Sequence, residues 1–364
     1  IRGLDTRKAK SGRRENIMKS RLKITPVLML LAVGLIQAQN SDQASQAELK
    51  KGAQSYVATF FGGSAADSPW NIALDKAGNV FVTGSTTSPD FMAAVNSSFI
   101  APRGKSDIFI LKFDKDLRTV VASARIGGSE DECAYAIFHD RRGFVYVAGY
   151  TGSKDFPTTQ SAYSPKYNGG EGDAFVLKMD DNLSKIVAST YLGGSGTEDD
   201  FRSPEIVQDK KGRIYVAGIT QSTDFPVTRG AFQEKQAGGR WDVFLSKFDP
   251  DLKTLLASTY IGGDKEDRMG RGLAIDPVSG DVCLAGFTYS SVFPVAKNAY
   301  SKYIGGGPDS FIMKFTPDLS KMTASTMFAG WIYSMFVHEK GDIYVGGHAG
   351  KSLPITPRAY HRAF

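Results

Sequence analysis

Cysteine is scarce in this sequence, which contains only Cys133 and Cys283 in 364 residues. Two cysteines exclude a fold held together by a network of disulfides. They stand at non-equivalent positions of the repeats described below, so we expect no disulfide between them and interpret each as a small core residue. Fifteen prolines and 39 glycines without a collagen-like triplet exclude a fibrous protein and indicate many tight turns.

The short motifs of common enzyme classes are also lacking. The sequence has no Gly-x-Ser-x-Gly, His-Glu-x-x-His, phosphate-binding loop or zinc-ligand spacing. Of its four histidines, His139 and His338 share one repeat position and are interpreted as tolerated variants. His348 is retained as a site-like residue because it starts a loop where the other repeats have different side chains. One histidine without a partner does not form a catalytic set, so neither a catalytic residue nor a cofactor is predicted.

No apolar run reaches the about 20 residues that a membrane-spanning helix needs. The main run covers residues 24–36, follows Met18 and three basic residues, and ends near Ala38. This pattern predicts a secretory signal peptide over 18–38, with a membrane anchor as the alternative. Residues 1–17 are interpreted as sequence upstream of the start and 39–55 as a polar linker. We therefore expect export to the periplasm, the cell surface or the medium, and no transmembrane span.

Outside this leader, neither charge sign is in excess. The net charge of +6 arises because residues 1–38 hold nine Lys or Arg against Asp5 and Glu15. The remaining chain carries 35 basic and 36 acidic residues. A nearly neutral body has no overall field to attract a polyanion, so we expect no nucleic-acid partner.

What the sequence does have is an internal repeat. Gly-Gly pairs at 62–63, 127–128, 193–194 and 262–263 are spaced by 65, 66 and 69 residues. Three further markers recur with the same spacing: an Asp, a Lys and a Ser that follows Ala. They are Asp107, Asp173, Asp242 and Asp309; Lys112, Lys178, Lys247 and Lys314; and Ser123, Ser189, Ser258 and Ser325. The repeats run over about 58–123, 124–189, 190–258 and 259–325, with a partial fifth over 326–364.

Each repeat contains four runs rich in Val, Ile, Phe and Tyr, which predict four antiparallel strands. In the first repeat the runs are NIALD, NVFVTG, DIFILKF and TVVASARI. Asp-x-x-Gly segments such as 75–78 separate the first two runs and predict hairpin turns. The runs do not alternate between polar and apolar residues, as expected when both faces of a sheet are covered. Radially stacked sheets explain this better than a sandwich, so the predicted fold is an all-β propeller.

Four segments carry a resemblance to a known family: YLGGSG at 191–196, IALD with GNVFVTG, SKDFPTT at 153–159, and GGEGDAFVLKMD at 169–180. They resemble the bacterial seven-bladed β-propeller repeat, called SBBP, over about residues 56–364. The resemblance implies the fold and little defined biochemistry.

The two ends of the predicted propeller differ from the complete repeats. YVATFFGG at 56–63 matches the fourth strand of a blade, without three strands before it. A strand of this kind commonly completes the last blade of a propeller. The fifth repeat supplies two strands and then stops, so we interpret the chain as a fragment of a larger propeller.

One face of the propeller is the predicted site. The Gly-Gly loops carry acidic residues that we expect to form an acidic rim able to receive a cation or a basic partner. Turn capping is the alternative, and no calcium-loop motif is present, so calcium stays an open option. The rim residues are Asp67, Glu130, Asp131, Asp199, Asp200, Glu266 and Asp267.

Two other recurring features are interpreted as structural. The loop Phe of each repeat, at 91, 156, 225 and 293, recurs in every blade and is therefore expected to pack its long loop. The Lys of each third strand lies within an apolar run, so it needs a partner or a path to solvent.

Three functional hypotheses follow from these observations. The first is an exported non-catalytic scaffold, outside a bacterial cell or at its surface, that binds a protein or a carbohydrate. The second is an enzyme, a lyase or a glycoside-cleaving propeller, with its site at the mouth of the channel. The third is a purely structural or adhesion module.

Overall fold

The computed structural model describes residues 57–91, 97–98, 103–140, 142–198, 203–302 and 308–349. Contacts divide the chain into residues Ile1–Phe60 and Phe61–Phe364, and the fold below is that of the second unit. Across the described ranges the chain forms eighteen strands and no α-helix. No helix in these ranges is long and apolar enough to cross a membrane.

The first two repeats form two antiparallel sheets. In blade 1 the strand order is β1-β2-β4-β5, and β3 adds a short parallel pairing to the outer edge of β5. Blade 2 has the order β6-β7-β8-β9. The bounds are β1 Asp67–Leu74, β2 Val80–Thr86, β3 Ser97–Ser98, β4 Asp107–Phe113, β5 Val120–Ile126, β6 Glu132–His139, β7 Phe144–Thr151, β8 Asp173–Asp180 and β9 Ile186–Leu192.

The third and fourth repeats form the next two blades, with the orders β10-β11-β12-β13 and β14-β15-β16 followed by the first half of β17, Met322–Val337. The first strands are innermost: β6 contacts β1, β10 contacts β6, and β14 contacts β10. Four four-stranded sheets thus stand side by side around an axis lined by β1, β6, β10 and β14. The bounds are β10 Glu205–Gln208, β11 Ile214–Thr220, β12 Asp242–Phe248, β13 Leu255–Ile261, β14 Asp267–Ile275, β15 Val282–Thr288 and β16 Asp309–Phe315. The sequence prediction of an all-β propeller is confirmed.

The last described strands depart from the expected pattern. The sequence predicts a break between the fourth strand of repeat four and the first strand of repeat five. Instead β17 (Met322–Val337) is a single strand of 16 residues. Its first half pairs with β16, and its second half pairs with β18 (Ile343–Ala349) in a fifth, curled sheet. The reason is local: Ala329-Gly330 stand where the other repeats have Gly-Gly, and Trp331 follows at once without an acidic loop.

The hairpin turns form as their residues predict. The carboxylate of Asp75 accepts hydrogen bonds from the backbone N–H groups of Ala77 and Asn79, both at 2.8 Å. Gly78 adopts φ 86°, in the left-handed region that glycine tolerates best. Asp140, Asp209 and Asp276 accept equivalent bonds in the next three blades.

Apolar side chains fill the space between neighbouring blades. All seven residues of β4 and of β12 are buried, which explains the absence of polar and apolar alternation, since both faces of these strands are covered. One core lies between blades 1 and 2, a second between blades 2 and 3, and a third between blades 3 and 4.

The loop phenylalanines belong to this packing, as predicted. Each packs its ring against a Phe of the third strand in its own blade and is buried. The ring centroids are 4.8 Å apart for Phe91 and Phe109, 4.7 Å for Phe156 and Phe175, 4.5 Å for Phe225 and Phe244, and 4.9 Å for Phe293 and Phe311.

Three of the four third-strand lysines bind a partner on a neighbouring blade, whereas Lys314 binds Asp276 of its own blade at 2.8 Å. Lys112 Nζ lies 2.5 Å from a carboxylate oxygen of Asp181. Lys178 donates to the carbonyl of Pro250 at 3.0 Å, and Lys247 to the carbonyl of Pro317 at 2.6 Å. These buried charges hold adjacent blades together, which supports the structural interpretation. Cys283 is buried, and neither it nor Cys133 forms a disulfide within the described residues.

Candidate functional site

A cluster of four different side chains lines the axis of the propeller. Three innermost strands carry an irregularity at the same register: β1 at Trp70, β6 at Tyr135, and β14 at Gly270 and Arg271. In blade 3, Pro204 occupies the matching position, and β10 begins at the next residue, Glu205. A bulge re-aims the side chain of the extra residue. We call Trp70, Tyr135, Glu205 and Arg271 the axial cluster.

The axial cluster connects blades that are not neighbours in sequence. The guanidinium carbon of Arg271, in blade 4, lies 5.7 Å from the ring centroid of Trp70, in blade 1. Its Nη1 donates to the backbone carbonyl of Trp70 at 3.3 Å. The ring of Trp70 in turn meets that of Tyr135, in blade 2, edge to face at 5.5 Å. Arg271 therefore joins the innermost strands of the first and fourth blades.

Glu205 adds a carboxyl group whose pKa lies close to neutral pH. Burial raises the pKa of Glu205 to about 7, and the positive charge of Arg271 opposes that rise. At neutral pH this group can therefore either donate or accept a hydrogen bond. A perturbed carboxyl beside an arginine and two aromatic rings is typical of a binding site built into a scaffold.

The predicted acidic rim is divided by the structure into buried and exposed groups. Asp267 is fully buried, and its carboxylate accepts from the N–H of Gly263 at 2.6 Å and from Ser290 Oγ. Asp67 accepts from the N–H of Gly63 at 2.7 Å and from Ser88 Oγ at 2.9 Å. Both carboxylates hold the Gly-Gly loop against the loop that follows the second strand, which matches the turn-capping alternative.

The other rim residues are on the outside of their loops. Glu130 forms an exposed ion pair with Lys105 at 2.7 Å, Asp131 accepts from Ser106 Oγ at 3.2 Å, and Glu266 lies 3.2 Å from an Arg268 nitrogen. Asp199 and Asp200 are outside the described residues. The structure therefore does not gather the described rim residues around one point.

No group of three or more His, Cys, Asp or Glu side chains that could hold a metal ion occurs among the described residues. Calcium binding at the rim stays a prediction, which a chelator-dependent melting temperature would test. His348 is exposed on β18, where its backbone pairs with Trp331. It lies on the fifth sheet, whereas the axial cluster belongs to blades 1 to 4.

A shallow depression of about 360 Å³ lies at the loops between blades 2 and 3. It is lined in part by Tyr163, Asn168 and Asp224. The Asp224 carboxylate accepts hydrogen bonds from the backbone N–H and the hydroxyl of Ser195, at 2.8 and 2.9 Å. In the preceding blade, Asp155 accepts the same two hydrogen bonds from Ser129. Because the Asp224 carboxylate makes a contact that recurs in another blade, it stabilises the loop, and the depression does not have the features of a ligand site.

The axial cluster was not predicted from the sequence, although a signal for it was present. Trp70, Tyr135 and Arg271 each stand five residues before the Asp that closes the first strand, and Pro204 occupies that position in blade 3. Glu205 follows it directly. At this offset the repeat loses its similarity.

Comparison with known proteins supports the fold. The SBBP family model, described as a beta-propeller repeat, matches residues 58–91 and 123–157. A search of curated proteins found no match.

Three solved structures are similar to this chain. A protein of unknown function from Dyadobacter fermentans is 16% identical, with 73% of this chain and 70% of that chain covered at a TM-score of 0.40. Hydrazine synthase of Kuenenia stuttgartiensis is 12% identical, with 80% and 75% covered and a TM-score of 0.34. A point mutant of an α-L-arabinofuranosidase from Fusarium graminearum, in complex with an iminosugar inhibitor, is 12% identical, with 76% and 69% covered and a TM-score of 0.37. Likeness at this level is not evidence of a shared activity.

Proposed function

We propose, for a chain that carries β-propeller repeats of the SBBP family, that it is an exported, non-catalytic scaffold that binds a glycan through the axial cluster. The observation that supports this most directly is the contact of Arg271 with Trp70 across the axis. Trp70 also contacts Tyr135, and the charge of Arg271 acts on Glu205, so side chains of all four blades interact in series. A purely structural module would have no need for unlike residues at a repeated position.

The chemistry of the cluster suits a sugar. The C–H faces of a pyranose ring pack on aromatic rings such as those of Trp70 and Tyr135, and its hydroxyl groups form hydrogen bonds with charged side chains such as Arg271 and Glu205. A few polar groups among apolar walls fix the orientation of a small ligand. The location on the axis, between innermost strands, favours the end or one unit of a glycan over a broad protein surface.

Export is the second part of the proposal and rests on the predicted signal peptide at 18–38. A secreted or surface-bound propeller would meet cell-wall and environmental polysaccharides. The nearly neutral body of the protein fits a ligand of low charge better than a polyanion.

Binding can be tested with an array of bacterial and plant glycans and the purified protein. We expect retention of at least one glycan class and at least a tenfold loss of affinity in Trp70→Ala and in Arg271→Gln. Tyr300→Ala is the matched control, because Tyr300 is an aromatic residue that is 82% exposed on a loop. Binding that is equal in all four proteins, or an absence of binding by folded wild-type protein, would refute the proposal.

The enzyme hypothesis predicts a different outcome. Glycoside-cleaving enzymes use a pair of carboxyl groups, and Glu205 would be the acidic residue of the axial cluster. Reducing sugar should then be released from a bound glycan, and Glu205→Gln should abolish the release while binding persists. We expect no release by the wild-type protein, and its detection would replace the scaffold by an enzyme.

A further inference from the structure

A pair of buried carboxyl groups lies at each boundary between complete blades. One member is the Asp that begins the third strand of a blade, and the other is the acidic residue that begins the first strand of the next blade or precedes it. We call these the boundary pairs. They are Asp107 with Glu132 at boundary 1/2, Asp173 with Glu198 at boundary 2/3, and Asp242 with Asp267 at boundary 3/4.

The first glycine of each Gly-Gly pair marks this position. A Cβ atom added to Gly193 would come closer than 3.0 Å to carboxylate oxygens of both Asp173 and Glu198. A Cβ on Gly127 would meet Asp107 and Glu132 in the same way, and one on Gly262 would meet Asp242. At boundaries 1/2 and 2/3 the two carboxyls of the pair therefore approach each other next to a glycine. At boundary 3/4 Asp242 lies in the same place, and burial together with the nearby Asp267 charge raises its pKa.

At boundary 2/3 the surrounding donors are neutral. Glu198 accepts from Thr220 and Ser222 hydroxyls at 2.7 and 2.5 Å and from the N–H of Gly194. Asp173 Oδ2 accepts from the backbone and side chain of Asn168 at 2.6 and 3.1 Å. Oδ1 of Asp173 is buried and has no hydrogen-bond partner within the described part of the chain. The titratable groups nearby are all acidic: Tyr167, Tyr191 and Tyr260.

Boundary 3/4 repeats this arrangement. Asp242 Oδ2 accepts from the N–H of Ala237 at 2.8 Å, while its Oδ1 is buried and has no partner among the described groups. Asp267 accepts from Gly263 and Ser290. The charged or titratable groups that act on this pair are Asp264 and Tyr260. No ion pair connects the four carboxyls of boundaries 2/3 and 3/4 to a described Lys, Arg or His.

Boundary 1/2 differs by one residue. Arg125 Nε donates to Asp107 Oδ2 at 2.6 Å, and both side chains are buried. Tyr191 and Tyr260 occupy the position of Arg125 in the next two blades. Burial and the Asp107 charge still raise the pKa of Glu132, to about 7. After ionisation, however, boundary 1/2 holds one uncompensated negative charge, whereas the other two boundaries would each hold two.

We propose that the boundary pairs Asp173–Glu198 and Asp242–Asp267 each hold one proton at neutral pH, and that release of these protons loosens boundaries 2/3 and 3/4 more than boundary 1/2. The proton joins the orphaned Oδ1 of Asp173 or Asp242 to the carboxyl of the next blade. It thereby satisfies a buried acceptor and removes the repulsion between two buried charges.

The direction of the pH dependence of stability follows from the direction of the pKa shifts. Burial raises the pKa values of Asp173 and Glu198, and raises that of Asp242 to about 7 and that of Asp267 to about 6. Because folding raises these values above those of unfolded chains, near 4, their contribution to stability is fully present below about pH 4. It is lost as the pH rises through the folded values, so the propeller becomes less stable between about pH 5 and pH 8.

The experiment compares melting temperatures from pH 5 to pH 9 for the wild type, Glu198→Gln, Asp242→Asn and the control Glu130→Gln. Glu130 lies on the same kind of loop and is exposed. We expect a fall of several degrees with rising pH in the wild type and in the control, and a smaller fall in each of the other two variants. Equal slopes in all four proteins would overturn the proposal.

The held proton can also be observed in the wild-type protein itself. An infrared carbonyl band of protonated carboxylic acid, to which Glu132 and Glu205 also contribute, should be present at pH 6 and disappear by pH 9. Its absence at pH 6 would refute a held proton even if the variants failed to fold. If calcium ions at pH 8 restore the melting temperature of the wild type but not of Glu198→Gln, a cation occupies the pair and the proposal is wrong. Hydrogen exchange at pH 9 should increase at residues 193–194 and 262–263 more than at 127–128, and an equal increase at all three would contradict the difference between boundaries.

Discussion

The guanidinium group of Arg125 binds the carboxylate of Asp107 and also donates from Nη1 to the backbone carbonyl of Ser88 at 2.6 Å. The hydroxyls of Tyr191 and Tyr260 donate to the carbonyls of Ser153 and Ser222, at 2.8 and 2.6 Å. These serines are equivalent to Ser88 in their blades. The same serine carbonyl thus accepts a hydrogen bond from a guanidinium group in blade 1 and from a tyrosine hydroxyl in blades 2 and 3. Only the arginine adds a charge.

Arg125→Tyr tests the importance of that charge. The tyrosine should keep the contact with Ser88, as in the next two blades, but leave Asp107 and Glu132 without a cation. Ionisation of Glu132, whose pKa burial raises to about 7, would then leave two buried negative charges without a cation, so stability should decrease as the pH rises. We expect the variant to melt at a lower temperature than the wild type, with a larger difference at pH 8 than at pH 5. Arg118→Tyr, on an exposed turn, is the control; a difference that does not depend on pH would contradict the prediction.

Gly193→Ala should destabilise the protein strongly. The added methyl would collide with the carboxylates of Asp173 and Glu198, which neighbouring hydrogen bonds hold in place. Overpacking of this kind costs about 1–3 kcal/mol. Gly152→Ala is the control, because its Cβ would make ordinary contacts at 3.4 Å or more. Urea unfolding of both variants measures the difference. Equal midpoints would contradict the prediction and show that the carboxylates can move to accommodate the methyl group.

Phe225→Ala tests whether the loop phenylalanines stabilise the fold. Phe225 is buried between Phe244, at 4.5 Å, and Tyr260, at 6.0 Å. Removing such a ring costs about 3–5 kcal/mol. Tyr300→Ala removes an aromatic ring that is 82% exposed and should change stability little. If Phe225→Ala unfolds at the same urea concentration as the wild type, the ring does not stabilise the blade.

The signal peptide has a direct test. When the sequence from Met18 onward is expressed in a bacterium, we expect the protein in the periplasm or medium with residues up to Ala38 removed. Intact-mass measurement of the recovered protein would then place Gln39 at the amino terminus. A Lys19→Glu and Arg21→Glu double variant should accumulate in the cytoplasm, because a basic segment is needed before the apolar run. Recovery of unprocessed wild-type protein in the cytoplasm would refute export.

The repeat made the blade architecture predictable, because its markers are the residues that every blade needs. The Asp of each hairpin turn and the loop Phe have local or repeated causes that sequence reveals. The axial cluster was not predictable in the same way, because its residues differ from one blade to the next and therefore carry no repeat pattern. Only the folded chain shows that Arg271 reaches Trp70, 201 positions away.

The acidic residues show a second limit of the sequence. Glu132 and Glu130 are two positions apart in the sequence, and nothing in the residue type distinguishes them. In the structure Glu132 is 1% exposed and bound by Thr151 and Ser153, while Glu130 is on the surface. Which carboxylate faces inward depends on where the chain turns after Gly-Gly. The pattern of acidic residues alone does not contain that information.

The continuous strand β17 has a mechanical consequence. Glycine loops cross boundaries 1/2, 2/3 and 3/4, so no hydrogen-bond ladder runs continuously from one of those blades to the next. Between the fourth and fifth sheets, one ladder of hydrogen bonds passes directly into the next. Opening either sheet must distort the strand that supports the other, so the two should open as one cooperative unit. The fourth and fifth sheets would then unfold together, in contrast to the first three blades, which share no strand.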